Sequence, residues 1–184
     1  MFKTLSYIGE KLNDSNIMWA VGASMMLNQF GLINNSNDID IFVDIKDINR
    51  ADEILQSIGE KKKTEKNSVY STEFFYKYSI NGIGIDVMAG FAIEHSRGVY
   101  EFIFDTKSIS KIETINEIDI PFTSLEDWYV IYQLIPNREF KVNLIEKYLT
   151  LNGIENPDLF KRALRGNLPL EIRSKIENLL GSHF

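Results

Sequence analysis

The sequence predicts an α/β (α+β) fold: a mixed sheet with flanking helices, followed by a helical C-terminal region. Three observations carry this. Strand-like and helix-like segments alternate over the first sixty residues. Two longer strand-like runs then meet at Asn81-Gly82, a dipeptide suited to a hairpin turn. Beyond Pro121, four amphipathic segments follow one another with prolines and glycines between them.

Element by element, "MFKTLSYIGEKLND" places Phe2, Leu5, Ile8 and Leu12 on one helical face. "NIMWAV" (16–21) is an apolar run of strand length, and "GASMMLNQFG" suits a short buried helix between Gly22 and Gly31. The strand "DIDIFVDI" follows, and then a helix over "KDINRADEILQSIG" with Ile48, Ala51, Leu55 and Ile58 at helical spacing. Asp44 is the expected cap of that helix. "EKKKTEKN" reads as a solvated turn. "VYSTEFFYKYSI", "GIGIDVMAGF" and "GVYEFIFD" read as strands, and Lys107–Ile120 as a source of short further strands. In the tail, Ser124 stands three residues before Asp127 in a capping pattern. Leu125, Trp128, Tyr132 and Ile135 form one stripe, and Phe140, Leu144 and Tyr148 another. The expected division is a core over 1–121 and a helical region over 122–184.

Composition narrows the function classes. The chain has 184 residues, 44% hydrophobic and 25% charged, with a formal net charge of −6 and no cysteine. No apolar run approaches the roughly 20 residues of a membrane span. The first segment lacks a signal-peptide pattern. Together these lead to the expectation of a cytoplasmic protein without membrane partners. The acidic balance argues against nucleic acid, whose backbone needs clustered lysine and arginine.

The candidate chemistry lies in "SNDIDIFVD". In a strand, Asp38 and Asp40 share one face while Ile39 and Ile41 share the other. Two carboxylates so placed either face solvent or hold a cation, because burying them unpaired is costly. In "GIGIDVMAG", Asp86 shares a face with Gly84, opposite Ile83, Ile85 and Val87. If the two strands are neighbours, three aspartates converge to hold Mg²⁺ (or Mn²⁺), the inventory for metal-assisted in-line displacement at phosphorus, where two ions stand roughly 4 Å apart. Upstream, the small residues Gly22, Ala23 and Ser24 either make a plain tight turn or let a phosphate approach the backbone. His95, Glu73 and Glu101 are further candidates for a base or an acceptor contact, and Arg97 for a phosphate contact.

Taken together, "VGAS", a short helix, "DIDIF" and later "GIDVM" resemble the DNA polymerase β-like nucleotidyltransferase superfamily. Small bacterial members such as lincosamide nucleotidyltransferases and AbiEii-type proteins are similar in scale. The likeness covers about residues 16–91, and "IPFTSLEDWYVIYQL" resembles the family's step into its helical tail. The resemblance implies a nucleotidyltransferase-like sheet that transfers an NMP from an NTP to a hydroxyl of a small-molecule or protein acceptor. It implies nucleotide contacts at Gly22, Ala23 and Ser24. Asp38, Asp40 and Asp86 are implied as metal ligands and catalytic residues, with Asp86 assisting deprotonation of the acceptor. Ala23 stands where the family has a second glycine. Tyr132 and Gln133 stand where a lysine is common, leaving Arg138 and Lys141 as candidates to neutralise phosphate. The alternative expectation is a protein of the same fold that binds a nucleotide or a partner without turnover, such as a toxin–antitoxin component.

Overall fold

A computed structural model describes residues 1–64 and 70–181. Helix α1 (Phe2–Asp14) leads into strand β1 (Trp19–Val21), helix α2 (Ala23–Gln29), strand β2 (Asp38–Val43) and helix α3 (Ile48–Ile58). Strands β3 (Glu60–Lys62), β4 (Phe74–Ile80), β5 (Ile83–Ala89), β6 (Ala92–His95) and β7 (Gly98–Glu101) follow. A 3₁₀ turn (Thr106–Ser108) precedes β8 (Ile109–Ile115) and β9 (Ile118–Thr123). The tail is α4 (Leu125–Leu134), α5 (Glu139–Asn152), α6 (Pro157–Ala163) and α7 (Leu170–Gly181).

Seven strands form one mixed sheet in the order β3-β4-β5-β2-β1-β9-β8, and β6 and β7 form a separate hairpin. Strand β1 is apolar on both faces, as an interior strand must be: Trp19, Ala20 and Val21 are all buried. It runs antiparallel to β2 and parallel to β9. Strands β2 and β5 are parallel, which requires the long crossover through α3 that separates them. The β4–β5 hairpin turns at Asn81 (φ +52°) and Gly82 (φ +75°), two successive left-handed residues, the geometry of a type I′ turn. α1 packs on β9 and α3 on β4.

Several expected elements are shorter than read. The first strand begins at Trp19, β2 ends at Val43, and β4 begins at Phe74; Val69 lies outside the described residues. Glu60–Lys62, expected as a turn, forms the outermost strand of the sheet. All three of its residues are exposed, and an edge strand tolerates and benefits from such charge. Asp47, not Asp44, occupies the N-cap position of α3. The Asp44 carboxylate instead accepts the Lys46 N–H at 3.0 Å, within the preceding turn.

Ser124 caps α4 as expected, its hydroxyl accepting the Asp127 N–H at 3.1 Å. Burial on α4 extends well beyond the expected stripe to every residue from Leu125 to Tyr132, so this helix is a central core element. On α5 the buried face is Val142, Ile145 and Leu149, while Phe140 is 71% exposed. Both stripes on that helix have helical spacing, and only packing against α4 selects between them. One continuous core joins the sheet to the tail, with Ile41, Phe42, Tyr129, Ile145 and Phe160 among its members. Arg162 of α6 ties the same elements by charge. Its guanidinium donates to Asp105 Oδ1 (2.9 Å), Ser108 Oγ (2.9 Å) and Asp127 Oδ1 (3.3 Å).

Candidate active site

A cleft of about 780 Å³ opens on the sheet face that carries Asp38 and Asp40, and the tail helices α4 and α5 supply part of its wall. Alternation along β2 sends Ile39 and Ile41 into the core at 0% exposure and leaves both aspartates partly accessible. The β2–β5 register sets Asp38 opposite Gly84 and Asp40 opposite Asp86. Paired residues of adjacent strands point to the same side, so the three carboxylates lie on one face and line one cleft. Gly84, beside Asp38, adds no side chain to this surface.

The carboxylates feel one another. Burial, then the charges of Asp38 and Asp86, push the Asp40 carboxyl up to about 8. Asp86 is also raised by burial, against the pull of Lys77, whose Nζ stands 3.2 Å from Asp86 Oδ2. This donor set suits a divalent cation: acidic oxygens only, mutually repelling, and short of positive charge at Asp40. Among the described residues, no three acidic or histidine side chains already form a finished ion cage. Asp86 is engaged by Lys77.

Beside Asp40, β1 runs through Gly22 into α2, and the Gly22 N–H donates to the Asp40 carbonyl at 2.9 Å. Gly22 adopts φ −123°, which any residue can reach; what demands glycine is the Trp128 indole. A Cβ at Gly22 would lie 2.5 Å from Trp128 Cζ2. The indole is fixed in turn: its Nε1–H donates to Thr123 Oγ1 (2.8 Å), and that hydroxyl donates to the Val21 carbonyl (3.0 Å). Trp128 packs on Phe42 with ring centroids 5.7 Å apart and on Tyr132 at 4.8 Å. Gly22 is therefore tucked behind Trp128, while Ala23 and Ser24 face the cleft. Ala23 has φ +50°, a left-handed conformation that costs an alanine about 1–2 kcal/mol.

Ser24 meets a cation from the tail. Lys141 Nζ of α5 donates to Ser24 Oγ at 2.8 Å and to the Tyr132 hydroxyl at 3.3 Å, and lies 4.8 Å from the Tyr132 ring centroid. Burial and the nearby Arg138 charge depress the Lys141 ammonium below the ordinary lysine range, against the opposing pull of Asp40 and Asp38. Arg138 lines the cleft beside it. The tail thus brings two cations to the cleft that Ser24 and the aspartates line.

Sequence reasoning missed the opposite wall, where Lys63, Tyr70, Phe75, Lys77 and Phe91 line the cleft. Lys77 was within reach of it. Counting outward from the Asn81-Gly82 turn pairs Ile80 with Ile83 and hence Lys77 with Asp86. Other candidates lie elsewhere. His95 bonds through Nε2 to the Asn167 carbonyl at 3.0 Å, and the Arg97 carbonyl accepts from Asn167 Nδ2 at 3.2 Å. Neither of these, nor Glu73 or Glu101, is among the cleft-lining residues.

No family model and no curated protein matches this sequence. Solved structures do. A protein of Thermotoga maritima, itself an inferred nucleotidyltransferase, superposes with a TM-score of 0.61 at 22% identity, over 82% of this chain and 92% of its own. ANT(2″)-Ia, solved with adenylyl-2″-tobramycin, gives 0.58 at 12% identity, over 96% and 97%. The lincosamide antibiotic adenylyltransferase LnuA, solved with lincomycin, gives 0.53 at 14% identity, over 78% and 95%. No described helix is long and apolar enough to cross a membrane. On topology and superposition alike, the chain has the nucleotidyltransferase fold.

Proposed function

We propose that this protein is a divalent-metal-dependent nucleotidyltransferase, moving an NMP from an NTP to the hydroxyl of a small-molecule acceptor. The observation that carries the reading is the β2–β5 register, which sets Asp40 beside Asp86 on the face of Asp38, in the cleft that Ser24 and Lys141 also line. Asp38 and Asp40 would hold Mg²⁺ or Mn²⁺ with the nucleotide, and Asp86 would complete the site. A bound ion supplies positive charge at the α-phosphate and lowers the pKa of the acceptor hydroxyl.

The chain's own groups do the rest. Ser24, Lys141 and Arg138 hold the β- and γ-phosphates and stabilise charge as it moves to the leaving group. Tyr132 and Trp128 keep Lys141 and the α2 entry in place. The acceptor oxygen bonds to the α-phosphorus, the bond from that phosphorus to the α–β bridging oxygen breaks, and pyrophosphate leaves. The hydroxyl proton passes to Asp86. The acceptor enters on the β4 side, where Phe75 and Tyr70 offer flat apolar surface. The named antibiotics of the two structural neighbours are starting points for acceptor screening. A cytoplasmic setting, where Mg²⁺ and NTP are at hand, belongs to the same proposal.

The test is transfer of label from α-labelled NTP to an acceptor panel with Mg²⁺ or Mn²⁺, alongside melting with each NTP. Stabilisation by metal and NTP is expected in the wild type and not in Asp38→Asn with Asp40→Asn. Stabilisation that survives the double substitution refutes the metal site. A second reading, binding without turnover, is favoured by Ala23 in its left-handed conformation and by Lys77 on Asp86. It predicts NTP-dependent stabilisation with no label transferred.

A further inference from the structure

We infer that Lys77 is a positioning residue for Asp86: its ammonium holds that carboxylate until a divalent cation takes it over, and so sets how tightly the cleft binds the ion. The inference rests on the metal-dependent reading above and asks how the site is kept before loading.

Three observations point to it. Lys77 and Asp86 are direct cross-strand partners, with Nζ 3.2 Å from Oδ2, and both line the cleft. The two side chains differ in freedom. Asp86 is 20% exposed and fixed on an interior strand, whereas Lys77 is 44% exposed and has solvent to move into. The Phe75 ring already shares the ammonium, because Lys77 Nζ lies 5.3 Å from its centroid on the same face of β4, and it can keep the lysine when Asp86 lets go.

Physics favours exchange over permanent pairing. A half-exposed monovalent ion pair is weak and easily screened. A dication bound by three carboxylates gains more from Asp86 than an ammonium does, and its charge repels Lys77 once it is seated. The lysine then rests toward Phe75, on the side where the acceptor enters. Asp86 is never left without a positive neighbour.

The test uses the full chain and Mn²⁺ alone, without nucleotide. Lysine acylation by an N-hydroxysuccinimide ester, read by mass spectrometry, reports the freedom of each amine. Labelling of Lys77 is expected to rise several-fold on Mn²⁺ addition, with Lys46 and Lys175 as unchanged references. In Asp86→Asn it is expected to be high with or without the ion. Titration of Mn²⁺ into Lys77→Gln should show binding about 2- to 5-fold tighter than wild type. If Mn²⁺ raises the melting temperature while Lys77 labelling and the Lys77→Gln affinity stay unchanged, this inference fails and the metal-dependent reading stands. If Mn²⁺ binds neither protein, this inference fails, and melting with metal and NTP together decides the metal-dependent reading on its own.

Discussion

Replacing Gly22 with alanine tests how the entry to the cleft is built. The backbone there is extended, so alanine meets no conformational penalty, and the whole cost is steric. The new methyl would lie 2.5 Å from Trp128 Cζ2, 2.9 Å from Cε2 and 3.0 Å from Nε1. Trp128 is 3% exposed and hydrogen-bonded to Thr123, so it can yield only by straining its rotamer or losing that bond. Overpacking a core costs about 1–3 kcal/mol, and a lost buried hydrogen bond adds about 1. A destabilisation of about 2–4 kcal/mol follows, lowering the melting midpoint by roughly 4–16 °C for a chain of this size. The assay is urea or thermal unfolding of a double-mutant cycle with Trp128→Leu. With leucine at 128, the added methyl should cost less than about 0.5 kcal/mol, since the ring it strikes is gone. An unchanged midpoint for Gly22→Ala, or an equal cost in both backgrounds, refutes the steric account. Gly84→Ala is the matched control: its nearest neighbour is Asp38 Cβ at 3.8 Å, ordinary contact.

Three further outcomes are expected. Ala23→Gly relieves a left-handed alanine and should raise stability by about 0.5–1 kcal/mol after the entropy cost of glycine, read by urea unfolding. Lys141→Met should weaken binding of a non-hydrolysable NTP analogue by roughly 10- to 100-fold in calorimetry, the worth of a charge-assisted contact, with the fold intact. Burial, opposed by Arg162, raises the Asp127 carboxyl to about 7, above its unfolded value. Asp127 therefore holds its proton more tightly in the native state. Its stabilising contribution is full below about pH 4 and lost as pH rises through 7, at no more than about 1.4 kcal/mol per pH unit. Urea unfolding from pH 4 to 8 should show this slope flattened in Asp127→Asn.

Much of the site was legible because strand alternation is a local rule. "DIDIF" alone puts Asp38 and Asp40 on one face, and "GIDVM" puts Asp86 opposite Ile85 and Val87. That β2 and β5 are adjacent and parallel is a long-range fact that no local period encodes, and it entered only through family resemblance. Lys141 shows the same limit. Its place in the sequence says nothing of Ser24, 117 residues away, and the contact exists because α5 packs on α4. On α5 itself, two stripes of equal period compete, and the tertiary partner chose Val142, Ile145 and Leu149 over Phe140. Edge strand β3 escaped notice because its charges carry no hydrophobic signal.

Arg162 gives the tail a property that its helical composition would not suggest. One guanidinium clasps the 3₁₀ turn beneath β8 and the first tail helix at once, from a helix near the end of the chain. Cutting the chain before α6 would strand Asp127 in the interior without its counter-charge, a penalty of several kcal/mol. The C-terminal third is therefore no detachable cassette to be traded between scaffolds. Variation in what this fold recognises must come from side chains along the cleft, because the helices behind it are bolted to the sheet.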